Sequence, residues 1–185
     1  MTTKDRALDA YLVASARLGD RRAMAQLVEL RGPRLLSHAS RLLGEHDGAR
    51  DVVQEAWIEI LRGLKGLRDE SLFLPWALRI VTRRVAREIG RRQKGRRLAA
   101  AVKAEADPVV SDAGPEEADA ARVRAAIATL SPAQAATVAL FYLEDLSVTE
   151  VATALDVPVG TVKTRLMHAR RKLRAELEGQ GYEQT

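Results

Sequence analysis

The chain has 185 residues, a formal net charge of +5, 4% aromatic residues and no cysteine. This length bounds it to one ordinary domain or two small ones. The lack of cysteine excludes disulfides, thiolate catalysis and Cys-based zinc sites, and no apolar run approaches the roughly 20 residues of a membrane span.

Scarce aromatics, abundant Ala, Leu and Arg, and no convincing alternating apolar run predict an all-α protein. The N-terminus lacks a signal-type apolar core, which fits a cytoplasmic location without membrane insertion. Residues 7–18 carry Leu8, Tyr11, Leu12, Ala16 and Leu18 at roughly helical spacing. Gly19-Asp20 breaks that pattern, and Asp20 is suited to cap a helix built on Ala23, Met24, Leu27, Val28 and Leu30. Pro33 is expected to open a further helix, with Leu35, Leu36, Ala39, Leu42 and Leu43 inward and Gly44 closing it. Residues 49–64 hold the strongest stripe: Val52, Val53, Ala56, Trp57, Ile60, Leu61 and Leu64, ended by Gly63 and Gly66.

After a short loop at Arg68–Ser71, Phe73, Trp76, Ile80, Val81, Val85 and Ile89 lead into a basic helix. Arg79, Arg83, Arg84, Arg87, Arg91, Arg92, Lys94, Arg96 and Arg97 are interrupted by one acid, Glu88. Their mutual repulsion asks for a polyanion, and phosphate is the natural one. From about Leu98 to Ala121 the sequence turns Ala-rich, acidic and punctuated by Asp107-Pro108 and Gly114-Pro115, which reads as a linker. The expected division is therefore residues 1–97, a linker at 98–121, a second unit at 122–178 and a tail at 179–185.

In the second unit Ser131, Pro132 and Gln134 mark a helix start that runs to about Tyr142. Ser147-Val-Thr-Glu150 is a second capping box, opening a helix that ends at Leu155 and packs through Val148, Val151, Ala152 and Leu155. Asp156 then has to take the left-handed conformation, which Asp tolerates better than most residues. Beyond Pro158, Val162, Leu166, Ala169 and Leu173 repeat at helical spacing and face inward. Thr161, Lys163, Thr164, Arg165, His168 and Arg171 are left outward or flanking. Hydroxyls and cations at the start of such a helix suit base edges and phosphates, the signature of a helix-turn-helix. The bland alternative, a solvated basic helix, explains neither the caps nor the turn.

Other features are ambiguous by themselves. Asp51, Gln54 and Glu55 share one helix face, which alone reads as ordinary charged surface. Trp76 beside cations suits stacking on an unpaired base, yet aromatics at helical spacing are more often core. His38, His46 and His168 have no metal-ligand spacing, there is no Gly-rich phosphate loop, and no catalytic constellation is visible, so neither cofactor, metal nor enzyme activity is expected.

Together these pieces resemble a bacterial RNA polymerase sigma factor of the extracytoplasmic-function (ECF) class. The resemblance rests on Leu18-Gly19-Asp20, Pro33-Arg-Leu-Leu36, Asp51-Val-Val-Gln-Glu-Ala56, Trp76 with Arg79-Ile80, and Val157-Pro158-Val-Gly160-Thr-Val162-Lys163, in that order. It implies two helical domains, sigma-2 and a helix-turn-helix sigma-4, joined by a flexible linker. It assigns Asp51, Gln54 and Glu55 to the β′ clamp helices of core RNA polymerase. Phe73, Trp76, Arg79, Arg83, Arg84 and Arg87 fall to the −10 promoter element, with the loop Asp69–Leu74 as a pocket for a flipped base. Thr161, Lys163, Thr164, Arg165 and His168 fall to the −35 element, with Arg170 and Arg171 on phosphates. Sigma-4 is implied to meet the polymerase β-flap, and many relatives are restrained by an anti-sigma factor. Arg83 and Arg87 stand where many relatives carry Asn and Asp, which leaves the −10 preference open. Asp156 stands where Gly is usual. Two rivals stay in view: a helix-turn-helix regulator that works without polymerase, and a sigma-like decoy that occupies polymerase without initiating.

Overall fold

The computed structural model describes residues 3–100 and 125–179, predominantly helical with no strand among them. In chain order these are α1 (Thr3–Arg17), α2 (Arg21–Leu43), α3 (Asp47–Gly63), 3-10 turns at Leu64–Gly66 and Glu70–Leu72, and α4 (Phe73–Ala100). There follow α5 (Pro132–Val138), a π-helical turn at Ala139–Leu143, α6 (Val148–Leu155) and α7 (Val159–Gly179). The acidic stretch Glu105–Asp119, most of the expected linker and the chain end beyond Gly179 lie outside the described residues. At its near edge, α4 continues past the expected boundary at Leu98 to Ala100.

Local signals account for several of the helix ends. Asp20 caps α2, accepting from the backbone N–H groups of Arg22 and Ala23. Gly19 precedes it at φ 97°, a conformation that L side chains rarely adopt. Gly44 closes α2 in the left-handed region, donating to the Ser40 carbonyl at 2.9 Å. Ser131 with Gln134, and Ser147 with Glu150, both form complete capping boxes, which satisfy orphan N–H groups at both ends of the reciprocal pair.

Pro33 does not open a helix; it lies inside α2. A proline there removes one backbone hydrogen bond and costs on the order of 3 kcal/mol. The unbroken buried stripe Ala23, Leu27, Arg31, Leu35, His38 and Ala39 offsets that cost and keeps the helix continuous. Several expected core positions are also exposed: Leu8, Tyr11 and Leu18 on or after α1, Val28 and Leu30 on α2, and Leu61 on α3. The inward face of α1 is instead Asp9, Leu12 and Val13, and Asp9 brings a buried ion pair into the contact with α2. There Arg31 donates through Nε to Asp9 at 2.7 Å, and Asp9 is fully buried. Burial pushes the Asp9 carboxyl up from its usual range, against the pull of Arg31.

His38 is sealed between α2 and α4, with Nε2 2.9 Å from Thr82 Oγ1. Burial first, then the charges of Arg41 and Arg34, hold its pKa down to about 3. The unfolded chain therefore takes up a proton below pH ~6.5 that the folded chain refuses, and stability falls between pH 6.5 and 3. Between pH 7 and pH 5.5 this amounts to about 1 kcal/mol. Urea denaturation at the two pH values should show that loss in the wild type and much less of it in His38→Gln.

Candidate nucleic-acid interface

The turn between α6 and α7 is built as the sequence requires. Asp156 sits at φ 56°, ψ 48°, and the Val157 N–H returns to the Ala152 carbonyl at 3.1 Å. Val162, Leu166 and Ala169 are buried, so α7 presents its opposite face outward. Lys163, Thr164, Arg170 and Arg171 are exposed, while Thr161, Arg165 and His168 are half-buried on its flanks. Thr164 Oγ1 donates back to the Gly160 carbonyl at 3.0 Å. Arg170 is held aside: its Nε donates to Tyr142 Oη at 2.6 Å, and its guanidinium carbon stands 5.8 Å from that ring's centroid. Tyr142, an exposed residue of the π-helical turn, thus orients a cation of the recognition helix. Only the placing of an aromatic near the end of the preceding helix hints at this in the sequence.

The aromatic start of α4 divides into two roles. Phe73 is completely buried, with ring centroids 6.5 Å from Trp57 and 6.2 Å from Trp76. The expectation that Phe73 touches DNA is corrected accordingly: it is core, and it supports Trp76 from beneath. Trp76 is half-buried and lies over Gly63, where an added Cβ would come within 3.0 Å of its Cζ2. Gly63 therefore does more than end α3; it leaves room for the indole. In the loop Asp69–Leu74, Asp69 accepts from Ser71 N and Oγ, and Leu74 is fully buried. Leu74 cannot line an open pocket in this arrangement.

The cations of α4 are not left to repel one another. Arg83 pairs with Glu59, Arg84 with Glu55 and, at 3.1 Å, with Glu59, and Arg79 with Asp156 at 2.5 Å. Glu88 accepts from both Arg91 and Arg92, which holds its carboxyl down to about 2. Part of the repulsion is answered inside the protein, by Glu55 and Glu59 of α3, Glu88 of α4 itself and Asp156 in the turn after α6. Glu59 was missed in the sequence, although its spacing of four from Glu55 puts both on one face.

Asp51, Gln54 and Glu55 are all exposed on α3. Glu55, expected on a different surface from Arg84, is bound to it, and both line a cleft of about 330 Å³ with Asp51, Arg87 and Arg91. Exposed Ile58 and Leu61 continue the Asp51–Gln54 side of α3 and add an apolar margin that a charge-based reading passes over. No group of three or more His, Cys, Asp or Glu suited to a metal occurs among the described residues, and no described helix is long and apolar enough to cross a membrane.

An outward-facing helix after a left-handed turn, with a half-exposed tryptophan at the head of a second basic helix, is the arrangement of a helical DNA-binding protein. Residues 27–95 match the family described as Sigma-70 region 2, and residues 120–173 match Sigma-70, region 4. The RNA polymerase sigma-H factor of Pseudomonas aeruginosa is 31% identical over 92% of this chain and 94% of that protein. The ECF RNA polymerase sigma factor SigW of Bacillus subtilis is 27% identical over 89% of this chain and 94% of its own length. The solved structure of CnrH in complex with the cytosolic domain of CnrY superposes with a TM-score of 0.70 at 25% identity, covering 93% of this chain and 98% of CnrH. The chain belongs to the sigma-70 family, among the ECF RNA polymerase sigma factors.

Proposed function

We propose that this protein is an alternative sigma factor of the cytoplasm, which binds core RNA polymerase, brings it to one class of promoter and helps nucleate strand opening, without covalent chemistry of its own. The observation that carries this reading is the coexistence, on one helical chain, of a presented recognition helix and a separate tryptophan-headed basic helix. One suits duplex DNA in the major groove; the other suits an opened strand. Residues 1–97 act as the sigma-2 unit and 122–178 as the sigma-4 unit, with 98–121 between them.

In this scheme Asp51 and Gln54, with the margin of Ile58 and Leu61, dock on the β′ clamp helices. Trp76, Arg79, Arg83, Arg84 and Arg87 meet the −10 element. Thr161, Lys163, Thr164, Arg165 and His168 read the −35 element, with Arg171 on phosphate and Arg170 steered by Tyr142. Sigma-4 also meets the β-flap. CnrH, a protein of similar fold, is in complex with the cytosolic domain of CnrY, and this chain is proposed to have an anti-sigma partner of its own.

Core polymerase should retain the full chain on size exclusion, and the Asp51→Arg, Gln54→Ala double variant should lose at least about tenfold in affinity. Equal retention of wild type and variant would remove α3 from the docking surface. No retention of either would favour a regulator that acts without polymerase.

A further inference from the structure

Glu144 is a charged residue buried to 1% exposure in the turn after the π-helix, yet its partners all lie on α2. Arg34 donates through Nε to its Oε2 at 2.6 Å and through a second nitrogen to its backbone carbonyl. Arg41 donates to Oε1 at 2.7 Å. His38, whose Nδ1 makes no hydrogen bond, closes the cage at 3.8 Å from Oε1. Positive φ at the next residue, Asp145, turns the chain sharply and helps aim Glu144 into the cage. Two weaker pairs join the same halves: Arg6 with Glu150 at 2.8 Å, and Arg79 with Asp156.

Part of this seam is open, although α6 packs against α4 elsewhere along it. A cavity of about 740 Å³, lined by apolar residues such as Leu43, Val85, Ile89, Leu130 and Leu143, separates α2 and α4 from α5 and the π-helical turn. Unfilled space forfeits dispersion contacts, so at this end of the seam closure leans on the ion cluster around Glu144. Neutralising Glu144 would leave the half-buried Arg34 without its carboxylate, and removing Arg34 would leave the buried Glu144 carboxylate with Arg41 as its one close cation; breaking one side of a buried pair is the costly way to open such a cluster.

The closed arrangement is also the wrong one for a promoter. The −35 and −10 elements are about 25 base pairs apart, roughly 85 Å along the duplex at 3.4 Å per step. Here α6 of the helix-turn-helix lies against α4, and Asp156 of its turn holds Arg79. The 24 residues from 101 to 124 span at most about 80 Å when fully extended, enough to let the halves reach both elements once they part.

We propose that Glu144 is an intramolecular latch: seated in the Arg34–Arg41–His38 cage, it holds the C-terminal helices on the N-terminal ones and keeps α4 from DNA until the halves separate. The latch itself needs only the geometry above; its consequence for DNA rests on the reading of α4 as a strand-binding helix.

The chain has no cysteine, so spin labels on Lys65→Cys and Ala175→Cys, both at exposed sites, report the distance between the halves by pulsed electron resonance. The full chain, without polymerase or DNA, should give one narrow distance distribution, that of the closed arrangement. Glu144→Gln should raise the population at long distances at least about tenfold, and Arg34→Met should do the same from the opposite side, both with unchanged helix content. Unchanged distances in both variants would overturn the latch. In parallel, fluorescence anisotropy with a 20-nucleotide oligo-dT strand should show several-fold tighter binding by Glu144→Gln. Opening without tighter binding would overturn the masking of α4 while leaving the latch in place.

Discussion

Replacing Trp76 by alanine should slow promoter opening by roughly fivefold to 150-fold while leaving the affinity for core polymerase intact. Stacking of an unpaired base on an aromatic side chain is worth about 1–3 kcal/mol, which converts to that range of rates. Trp76 is the aromatic of α4 with surface to offer; Phe73 beneath it has none. Permanganate footprinting of the opened strand, read beside a gel assay of the closed complex, separates the two steps. A Trp76→Ala protein that binds polymerase and opens DNA at the wild-type rate would reduce Trp76 to a lid over Gly63. Trp76→Phe retains a ring and should recover much of the opening rate, an outcome that a purely volumetric role does not require.

The second large effect is expected in stability. Asp9 and Arg31 are buried together between α1 and α2, and Asp9→Ala leaves the guanidinium with the Asp5 backbone carbonyl at 3.3 Å and the Asp5 carboxylate at 3.9 Å. The cost should be about 3 kcal/mol or more by urea denaturation. Replacing both residues, Asp9→Leu with Arg31→Met, should come within about 1 kcal/mol of wild type or exceed it, because desolvating two charges offsets much of their attraction. If the double variant were as unstable as the single one, apolar packing at that site would be the limiting factor instead of the unpaired charge. Either way α1 is the element at risk, and it carries Arg6, one of the residues that tie the two halves together.

What the sequence revealed and what it hid follow from the range of the interactions. Caps act over three or four residues, so Asp20, Ser131 and Ser147 were readable, as was the left-handed Asp156. The inward stripe of α7 was likewise set by its own spacing. Features that depend on a distant partner were not. Nothing near Glu144 in the sequence announces that α2, some hundred residues earlier, supplies its two guanidiniums. The same holds for Arg79 with Asp156 and Arg84 with Glu55, each a pair across separate elements. Pro33 misled because its local penalty is visible in the sequence, whereas the buried stripe that overrides it is a tertiary matter. Leu8, Tyr11 and Leu61 misled for the opposite reason: an apolar residue at helical spacing is not obliged to face the core, and Leu61 sits on the face proposed for polymerase.

The central claim is that this chain directs RNA polymerase to promoters through two separated contacts. Transcription in vitro by core RNA polymerase on a promoter library, with and without the protein, tests it most directly. The account predicts starts that appear only with the protein and share two sequence elements at fixed spacing. Polymerase binding without any specific start would make the chain a decoy, and specific duplex binding with no effect on polymerase would make it a plain regulator; either result would contradict the account.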